Sequence, residues 1–315
     1  MRRDVQKTLL LHGGVLVALV ALQFVLPAYH HGNAARIMVL ATYAMGYNLL
    51  FGYVGLLSLG HAIFFAAGLY GMGLAVSHLG MSAPLGLVIG VLAGGVVGAL
   101  IGALALRTEG VAFMIVTLMF AQAGYLTILY FGGITRGDEG FVIQQVDRVF
   151  FGVDLSDPFI RYYAAFTVFC ISFLSIFALL HSPFGKTLIA IRENQERAVM
   201  LGYNVMRFKL LAVIFSAALS ALAGATYGLL FGYVGASFAS VQYSIFPLLW
   251  VLLGGAGTAL GPLVGVFFMF YLIDISSGMT TAYMLVAGGV LVGLTLFAPQ
   301  GLMGEIRRRF WRWLP

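Results

Sequence analysis

The sequence predicts an all-α integral membrane protein, a polytopic bundle of about ten transmembrane segments (range 8–10). Hydrophobic residues make up 61% of the 315 residues and charged residues only 9%, whereas an ordinary globular domain is about 25% charged. Apolar runs recur along the whole chain, and most approach the roughly 20 residues that a helix needs to cross the hydrocarbon core. The alternation typical of β-barrel strands is not sustained. We therefore expect one transmembrane domain over residues 1–315.

Ten candidate spans follow one another, some of them short or broken. The first resembles a signal peptide, but it is longer than a usual h-region and no small-residue cleavage site ends it, so a retained span is expected. The eighth and ninth are too short to cross alone, and the glycines between them suggest a hairpin inside the membrane. The spans are expected at 8–26, 36–55, 61–78, 84–106, 111–131, 161–180, 209–232, 243–254, 262–276 and 282–298.

Basic residues predict the orientation of these spans. If the N-terminus is inside and the spans alternate, only Arg36, Arg136, Arg148 and Arg161 of the 17 basic residues fall in outer segments. Cytoplasmic segments carry the excess of Lys and Arg in membrane proteins. Ten crossings with both termini in the cytoplasm are therefore expected. Basic residues that lie between spans do not indicate nucleic-acid binding.

Two loops are long enough to have functions of their own. The outer loop 132–160 is a polar, mildly acidic platform. The inner segment 181–208 is predicted to form one short amphipathic helix, which begins at Ser182-Pro183 and stops at Gly202. Its apolar face is expected to hold Phe184, Leu188, Ile191, Ala198 and Leu201. Its charged face suits either a membrane-surface helix or a docking helix for a cytoplasmic partner.

Glycine is patterned in the fourth span, and one heptapeptide is repeated. Gly86, Gly90, Gly94, Gly98 and Gly102 form a smooth stripe, which allows close helix packing either within the bundle or at a dimer seam. The heptapeptide Leu-Leu-Phe-Gly-Tyr-Val-Gly occurs at 49–55 and 229–235, on spans that run in opposite directions. An inverted repeat and coincidence in a biased composition both fit.

No motif for chemistry within this chain is complete. Gly185-Lys186-Thr187 resembles the end of a phosphate-binding loop, but Leu180 occupies the position of its first glycine. The six histidines lack metal-ligand spacing, and no nucleophile elbow is present. Apart from Asp274, the spans hold almost no acids for ion coupling. We therefore expect no enzyme, no metal site and no cofactor in this chain, and any transport must take its energy from elsewhere.

Several motifs, in order along the chain, resemble one family. Residues 47–62 read Y-N-L-L-F-G-Y-V-G-L-L-S-L-G-H-A, and they resemble the N-L-L-x-G-Y-x-G-x-L-S-L-G-H-A signature of branched-chain amino acid ABC importer permeases. Further similar segments are L-R-T-E-G-V-A-F (106–113), G-D-E-G (137–140), S-P-F-G-K (182–186), A-I-R-E-N (190–194), E-R-A (196–198), L-G-G-A-G-T (253–258) and P-Q-G-L (299–302). The likeness covers about residues 36–303 of the chain.

Of the two permease types in this hydrophobic amino acid uptake family, the chain resembles the M-type (LivM-like) subunit. The resemblance implies a bacterial cytoplasmic (inner) membrane protein that works with a second, H-type permease, two ATP-hydrolysing subunits and an extracytoplasmic binding protein. ATP would be used by those partner subunits. Segment 181–208 would then be the ATPase-coupling segment, although the I-x-L-P part of the importer pattern is missing. Its coupling residues would be Arg192, Glu193, Asn194, Glu196, Arg197, Ala198 and Gly202.

The translocation pathway is expected near a break in the second span. Glycines interrupt the helix near Asn48, Ser58 and His61, and irregular backbone at membrane depth is tolerated where it lines a cavity or is buried in protein. We also assign Gln122 to the pathway. The alternative is that these groups only satisfy freed backbone groups. Two other functions remain open: a similar permease for urea, amides or another small solute, and a stand-alone channel or secondary carrier.

Overall fold

The computed structural model describes residues 2–25 and 27–309, and this part of the chain is almost wholly helical. A π-helical segment occupies Leu49–Val54, and 3-10 turns lie at Gln145–Asp147 and Ala236–Ala239. The helices are α1 (Arg2–Val25), α2 (Ala28–Asn48), α3 (Ala62–Ser77), α4 (Ala83–Ala105), α5 (Val111–Tyr130), α6 (Gly132–Thr135), α7 (Pro158–His181), α8 (Pro183–Glu193), α9 (Gln195–Met200), α10 (Val205–Phe231), α11 (Val241–Gly254), α12 (Gly261–Met279), α13 (Tyr283–Phe297) and α14 (Gly301–Arg309). Short strands are β1 (Phe141–Val142), β2 (Val149–Phe150), β3 (Val153–Asp154) and β4 (Tyr233–Val234).

The predicted fold class is confirmed. Within the described residues, seven helices are long and apolar enough to cross a membrane. Shorter apolar helices lie at Leu10–Val25, Ala62–Ser77 and Val241–Gly254. Each expected span coincides with one of these segments, so the chain is a multi-pass, all-α membrane protein.

Several span boundaries differ from the predicted ones, notably those of the ninth and second spans. The ninth span is not too short, since α12 has 19 residues. It continues to Met279, and the hydroxyls of Ser276 and Ser277 donate to carbonyls of the preceding turn, at 2.6 and 2.9 Å. The second span begins directly after Pro27 rather than at residue 36. Arg36 therefore lies inside α2 and not in an outer loop.

The centre of the bundle is formed by α2 and α10, which contact each other. α3 and α4 pack against α10, whereas α11 and α12 pack against α2. α7 covers another side of α2. The segment 181–208 and the loop 132–160 adjoin opposite ends of α7, and we call these two sides of the bundle inner and outer.

The bundle contains two halves, α2–α5 and α10–α13, and each half packs on the first helix of the other. α2–α5 and α10–α13 each consist of a long helix, a short helix and two further helices. In each half, the second and third helices pack on the first helix of the other half. The two copies of the heptapeptide end the corresponding long helices, which run in opposite directions. This arrangement favours the inverted-repeat interpretation over coincidence.

The outer loop 132–160 is tied to the second half of the chain. β1 pairs with β4 in antiparallel register, Phe141 opposite Val234 and Val142 opposite Tyr233. β2 and β3 form a separate hairpin. Asp154 accepts hydrogen bonds from Gln145 and from the backbone of Ser156, and these bonds lower the pKa of its carboxyl group. The loop is therefore an ordered surface at the end of α10.

Candidate functional site

The second span is broken close to its inner end, as the sequence predicts. α2 passes into the π-helical segment Leu49–Val54, and Gly55 then adopts a left-handed φ of 81°. The chain continues without regular structure until α3 begins at Ala62. Gly60 lies so close to the carbonyl of Thr117 in α5 that a Cβ atom there would overlap it.

Asn48 joins this break to the turn between α11 and α12. Its Nδ2 donates to the carbonyl of Thr258 at 3.0 Å, and its Oδ1 accepts from the backbone amide of Gly257 at 2.9 Å. Gly52 also contacts Gly257 directly, because a Cβ on Gly52 would lie 2.5 Å from the Gly257 nitrogen. The breaks in the two halves of the bundle therefore meet each other.

His61 is fully buried at the start of α3. Its Nε2 lies 2.9 Å from the hydroxyl of Ser220 and 3.3 Å from that of Ser216, both on α10. Its Nδ1 is buried and has no hydrogen-bond partner within the described residues. The ring stacks on Tyr43, with centroids 5.8 Å apart. His61 thus links the break to both central helices and retains one unused polar atom.

The four residues assigned to the pathway do not form one group. Asn48, Ser58 and His61 are buried around the break. The Ser58 hydroxyl accepts from the amide of Gly60 at 3.3 Å, so Ser58 and Asn48 both satisfy backbone groups. Gln122 is exposed on α5. Its assignment to the pathway remains a prediction.

The inner segment forms two helices, so the prediction of one amphipathic helix is wrong. α8 and α9 are separated at Asn194, where φ is −157° and ψ is 99°. The Asn194 side chain accepts a hydrogen bond from the amide of Arg197 at 2.8 Å and so caps α9. Asn side chains favour this capping position over a helix interior. The start at Ser182 and the stop at Gly202 agree with the prediction, since Ser182 caps α8 and Gly202 has a φ of 88°.

Arg192 has a partner that the amphipathic pattern does not reveal. Its guanidinium group donates to the carbonyl of Gly52, inside the π-helical segment. Arg192 is exposed, as expected for the charged face, and it also makes this contact with the helix break. The sequence pattern gives no signal for the contact.

The rest of the segment presents a mixed surface. Glu193, Asn194, Glu196 and Arg197 are exposed, whereas Ala198 is buried. A groove of about 540 Å³ runs between α8 and α9. Leu201 does not face the bundle as expected but is 71% exposed, and Met200 beside it is 84% exposed. α9 therefore ends in an exposed apolar tip.

The glycine stripe of α4 faces helices of the same chain. A Cβ on Gly94 would overlap that of Ala221, and a Cβ on Gly98 would overlap that of Ala217, both on α10. A Cβ on Gly86 would lie 2.5 Å from the side chain of Val76 in α3. All five stripe glycines are buried. The structure thus places the stripe at the junction of α3, α4 and α10.

A second inner cavity, of about 570 Å³, lies beside α14. Its lining includes Thr258, Gln300 and Arg307. Nearby, Arg308 and Arg309 donate to Glu305 at 2.7 and 2.5 Å, and these bonds lower the pKa of the Glu305 carboxyl group. Within residues 2–25 and 27–309, no group of three His, Cys, Asp or Glu residues is placed to hold a metal ion.

Comparison with known proteins identifies the family. The family described as "Branched-chain amino acid transport system / permease component" matches residues 32–298, which is most of the chain and includes both helix breaks. The chain belongs to this family.

The names of similar proteins agree with this family assignment. The high-affinity branched-chain amino acid transport system permease protein LivM of Escherichia coli is 29% identical over 93% of this chain and 74% of its own length. The protein of the same name from Salmonella typhimurium is 28% identical over the same shares. The LivH permease protein of Escherichia coli is 23% identical over 84% of this chain and 91% of its own length. No protein of known structure matches significantly.

Proposed function

We propose that this branched-chain family permease is one of two permease subunits of an ATP-driven ABC importer in the bacterial cytoplasmic membrane. With an H-type partner it forms the pathway for branched-chain or other hydrophobic amino acids. Two cytoplasmic ATP-hydrolysing subunits drive the cycle, and an extracytoplasmic binding protein delivers the substrate. The observation that carries the proposal is the exposed α8–α9 segment, one arginine of which reaches back to the helix break.

The segment α8–α9 has the properties that a motor subunit needs. Its exposed acids and bases, Glu193, Glu196 and Arg197, offer charge-assisted contacts. The apolar tip at Met200 and Leu201 offers surface that binding would remove from water. The buried side of α8 packs on α7 and on the π-helical segment, so movement of the segment is passed to the break.

The remaining assignments follow from the orientation we propose. Both termini and α8–α9 face the cytoplasm, and loop 132–160 faces outward to receive the binding protein. Asn48, Ser58 and His61 border the part of the pathway that opens when the break rearranges. Gln122, exposed on α5, contributes at the face that meets the second permease. The chain itself carries out no chemical reaction and binds no cofactor, since ATP is used by the partner subunits.

The test is transport by the complete complex. The protein is purified with its partner subunits and reconstituted in proteoliposomes, and ATP-dependent uptake of labelled leucine is compared with ATP hydrolysis. Glu193→Gln and Arg197→Gln should reduce uptake per ATP hydrolysed, while Arg136→Gln should behave as the wild type because Arg136 is exposed on the outer loop, away from the coupling segment. Unchanged uptake in both coupling variants would remove the coupling assignment.

The same preparation distinguishes the proposed importer from the two alternative functions. A permease for urea or amides would be revealed when its binding protein responds to those solutes, and not to leucine, in a thermal-shift screen. A stand-alone channel or carrier would move solute when this chain is reconstituted without any ATP-hydrolysing subunit. Recovery from the membrane without such a subunit would count against the importer.

A further inference from the structure

Three of the four arginines that the sequence predicts for outer segments converge around one aromatic ring. Arg36 of α2 and Arg161 of α7 place their guanidinium carbons 5.0 and 5.6 Å from the centre of the Phe231 ring, at the end of α10. Arg148 of the outer loop reaches the same place, with its Nη1 3.5 Å from the carbonyl of Leu230. Its guanidinium group packs on Gly232, where a Cβ would lie 2.9 Å from Nη1. We call these residues the outer arginine cluster.

Among the described residues, this cluster brings together three positive charges without a directly contacting carboxylate. Within the described residues, no carboxylate oxygen lies within 4.0 Å of the three guanidinium groups. Asp157 and Asp154 lie near enough to interact electrostatically with Arg161, but their carboxylates hydrogen-bond to other groups, since Asp157 caps α7 and Asp154 accepts from Gln145 and Ser156. The Nη2 of Arg161 donates to the carbonyl of Ser156 at 2.7 Å, but the buried Nε atoms of Arg148 and Arg161 have no hydrogen-bond partner among the residues that the structure describes. Like charges at close range repel, so the arrangement favours an anion.

The anion that fits best is a small carboxylate attached to an apolar group. Guanidinium donors match the two oxygens of a carboxylate in parallel pairs. Beside them the Phe231 ring continues into Tyr227, 4.7 Å away between centroids, and Tyr227 into Phe238 at 5.1 Å. These rings are only partly buried and place apolar surface next to the charges.

The partial burial of the cluster favours the carboxylate of a small free solute over that of an acidic side chain on a docked protein. Arg148 and Arg161 are half-buried, and their unused Nε donors are shielded from solvent. A small free solute can approach the guanidinium groups of these half-buried residues more closely than a carboxylate fixed on a docked protein, for which Arg36 is the exposed member of the cluster. We propose that the outer arginine cluster binds the carboxylate of the apolar amino acid during import, an inference that rests on the function proposed above.

A binding measurement without binding protein or nucleotide tests this inference. The complete membrane complex in nanodiscs is titrated with labelled leucine, which is then displaced by 4-methylpentanoate or by its uncharged amide. The acid should displace leucine and the amide should not. Arg161→Gln and Arg36→Gln should each weaken leucine binding about tenfold, the usual effect of losing one charge-assisted hydrogen bond.

Two further variants act as controls. Arg161→Lys keeps the charge and should bind more tightly than Arg161→Gln, which separates loss of charge from loss of folding. Arg136→Gln removes the fourth outer arginine, which is exposed and lies outside the cluster, and it should bind leucine as the wild type does.

Several results would overturn the inference. These are absence of leucine binding by the wild type, equal displacement by acid and amide, or unchanged affinity in both Gln variants. Variants that bind leucine normally but lose the binding protein would instead assign the cluster to protein docking. ATP-driven leucine uptake by the same wild-type complex would leave the proposed function standing in each case.

Discussion

The guanidinium group of Arg192 in α8 donates a hydrogen bond to the carbonyl oxygen of Gly52, in the π-helical end of the second span. In a continuing α-helix that carbonyl would accept from the amide of Leu56. Here Leu56 bonds to the carbonyl of Leu50 instead, at 2.9 Å. A residue of the inner segment therefore occupies the acceptor that the break releases, and the two elements are joined by one side chain.

Removal of the Arg192 side chain should weaken the connection between α8 and the helix break. Arg192→Gln is too short to reach Gly52 from the same position, so we expect uptake per ATP hydrolysed to fall by about tenfold, the effect of about 1.4 kcal/mol. ATP hydrolysis should continue, because Arg192 is not part of a nucleotide site. Paired uptake and hydrolysis assays in proteoliposomes measure both quantities. A variant with wild-type coupling would show that the hydrogen bond has no role in transmission.

Asn48 should be important for stability. Asn48→Ala removes the two hydrogen bonds to Gly257 and Thr258 and leaves their buried partners unsatisfied, at a cost of about 2–3 kcal/mol in the free energy of unfolding. Thermal unfolding in detergent measures the change. Gln122→Ala, on an exposed position of α5, should change stability by no more than about 0.5 kcal/mol. Equal unfolding temperatures for the two variants would contradict the contacts described for Asn48.

Two neighbouring glycines of α4 should differ in how much an alanine substitution destabilises the protein. Gly94→Ala places a methyl group against Ala221 and should destabilise the protein by about 1–3 kcal/mol. Gly95→Ala has nothing within 4 Å of the new atom, so it should be neutral or slightly stabilising. Both variants are compared by equilibrium unfolding in mixed micelles. If Gly94→Ala is neutral and the second permease is lost instead, the stripe serves an interface between chains.

The orientation can be tested with single cysteines. Cys170 is the only cysteine, so Cys170→Ser provides an unreactive background. In it, Met200→Cys and Val146→Cys, at positions 84% and 81% exposed, are treated with a membrane-impermeant maleimide. Val146→Cys should react in intact cells, and Met200→Cys only in inside-out vesicles. Labelling of Met200→Cys from outside would remove α8–α9 from the reach of any cytoplasmic ATP-hydrolysing subunit.

The sequence alone determined the fold class, the positions of the spans and the family. Apolar runs of membrane length leave a helix as the only way to satisfy the backbone without water, so each expected span is present as a helix. Ser182 and Gly202 were recognisable as a helix start and stop because capping and left-handed turns depend on the residue itself. Such features are local and need no knowledge of neighbours.

Other features were decided only by the tertiary structure. The two copies of Leu-Leu-Phe-Gly-Tyr-Val-Gly have identical side chains, yet Gly52 stays helical while Gly232 turns to a φ of 72°. Gly52 packs on Gly257 and receives Arg192, whereas Gly232 packs on Arg148 and the following residues pair with β1. The convergence of Arg36, Arg148 and Arg161 on Phe231 is equally invisible in the sequence, because these residues lie on separate elements. A one-dimensional pattern records what each residue prefers, but a glycine or an arginine takes the conformation and partner that the packed helices around it supply.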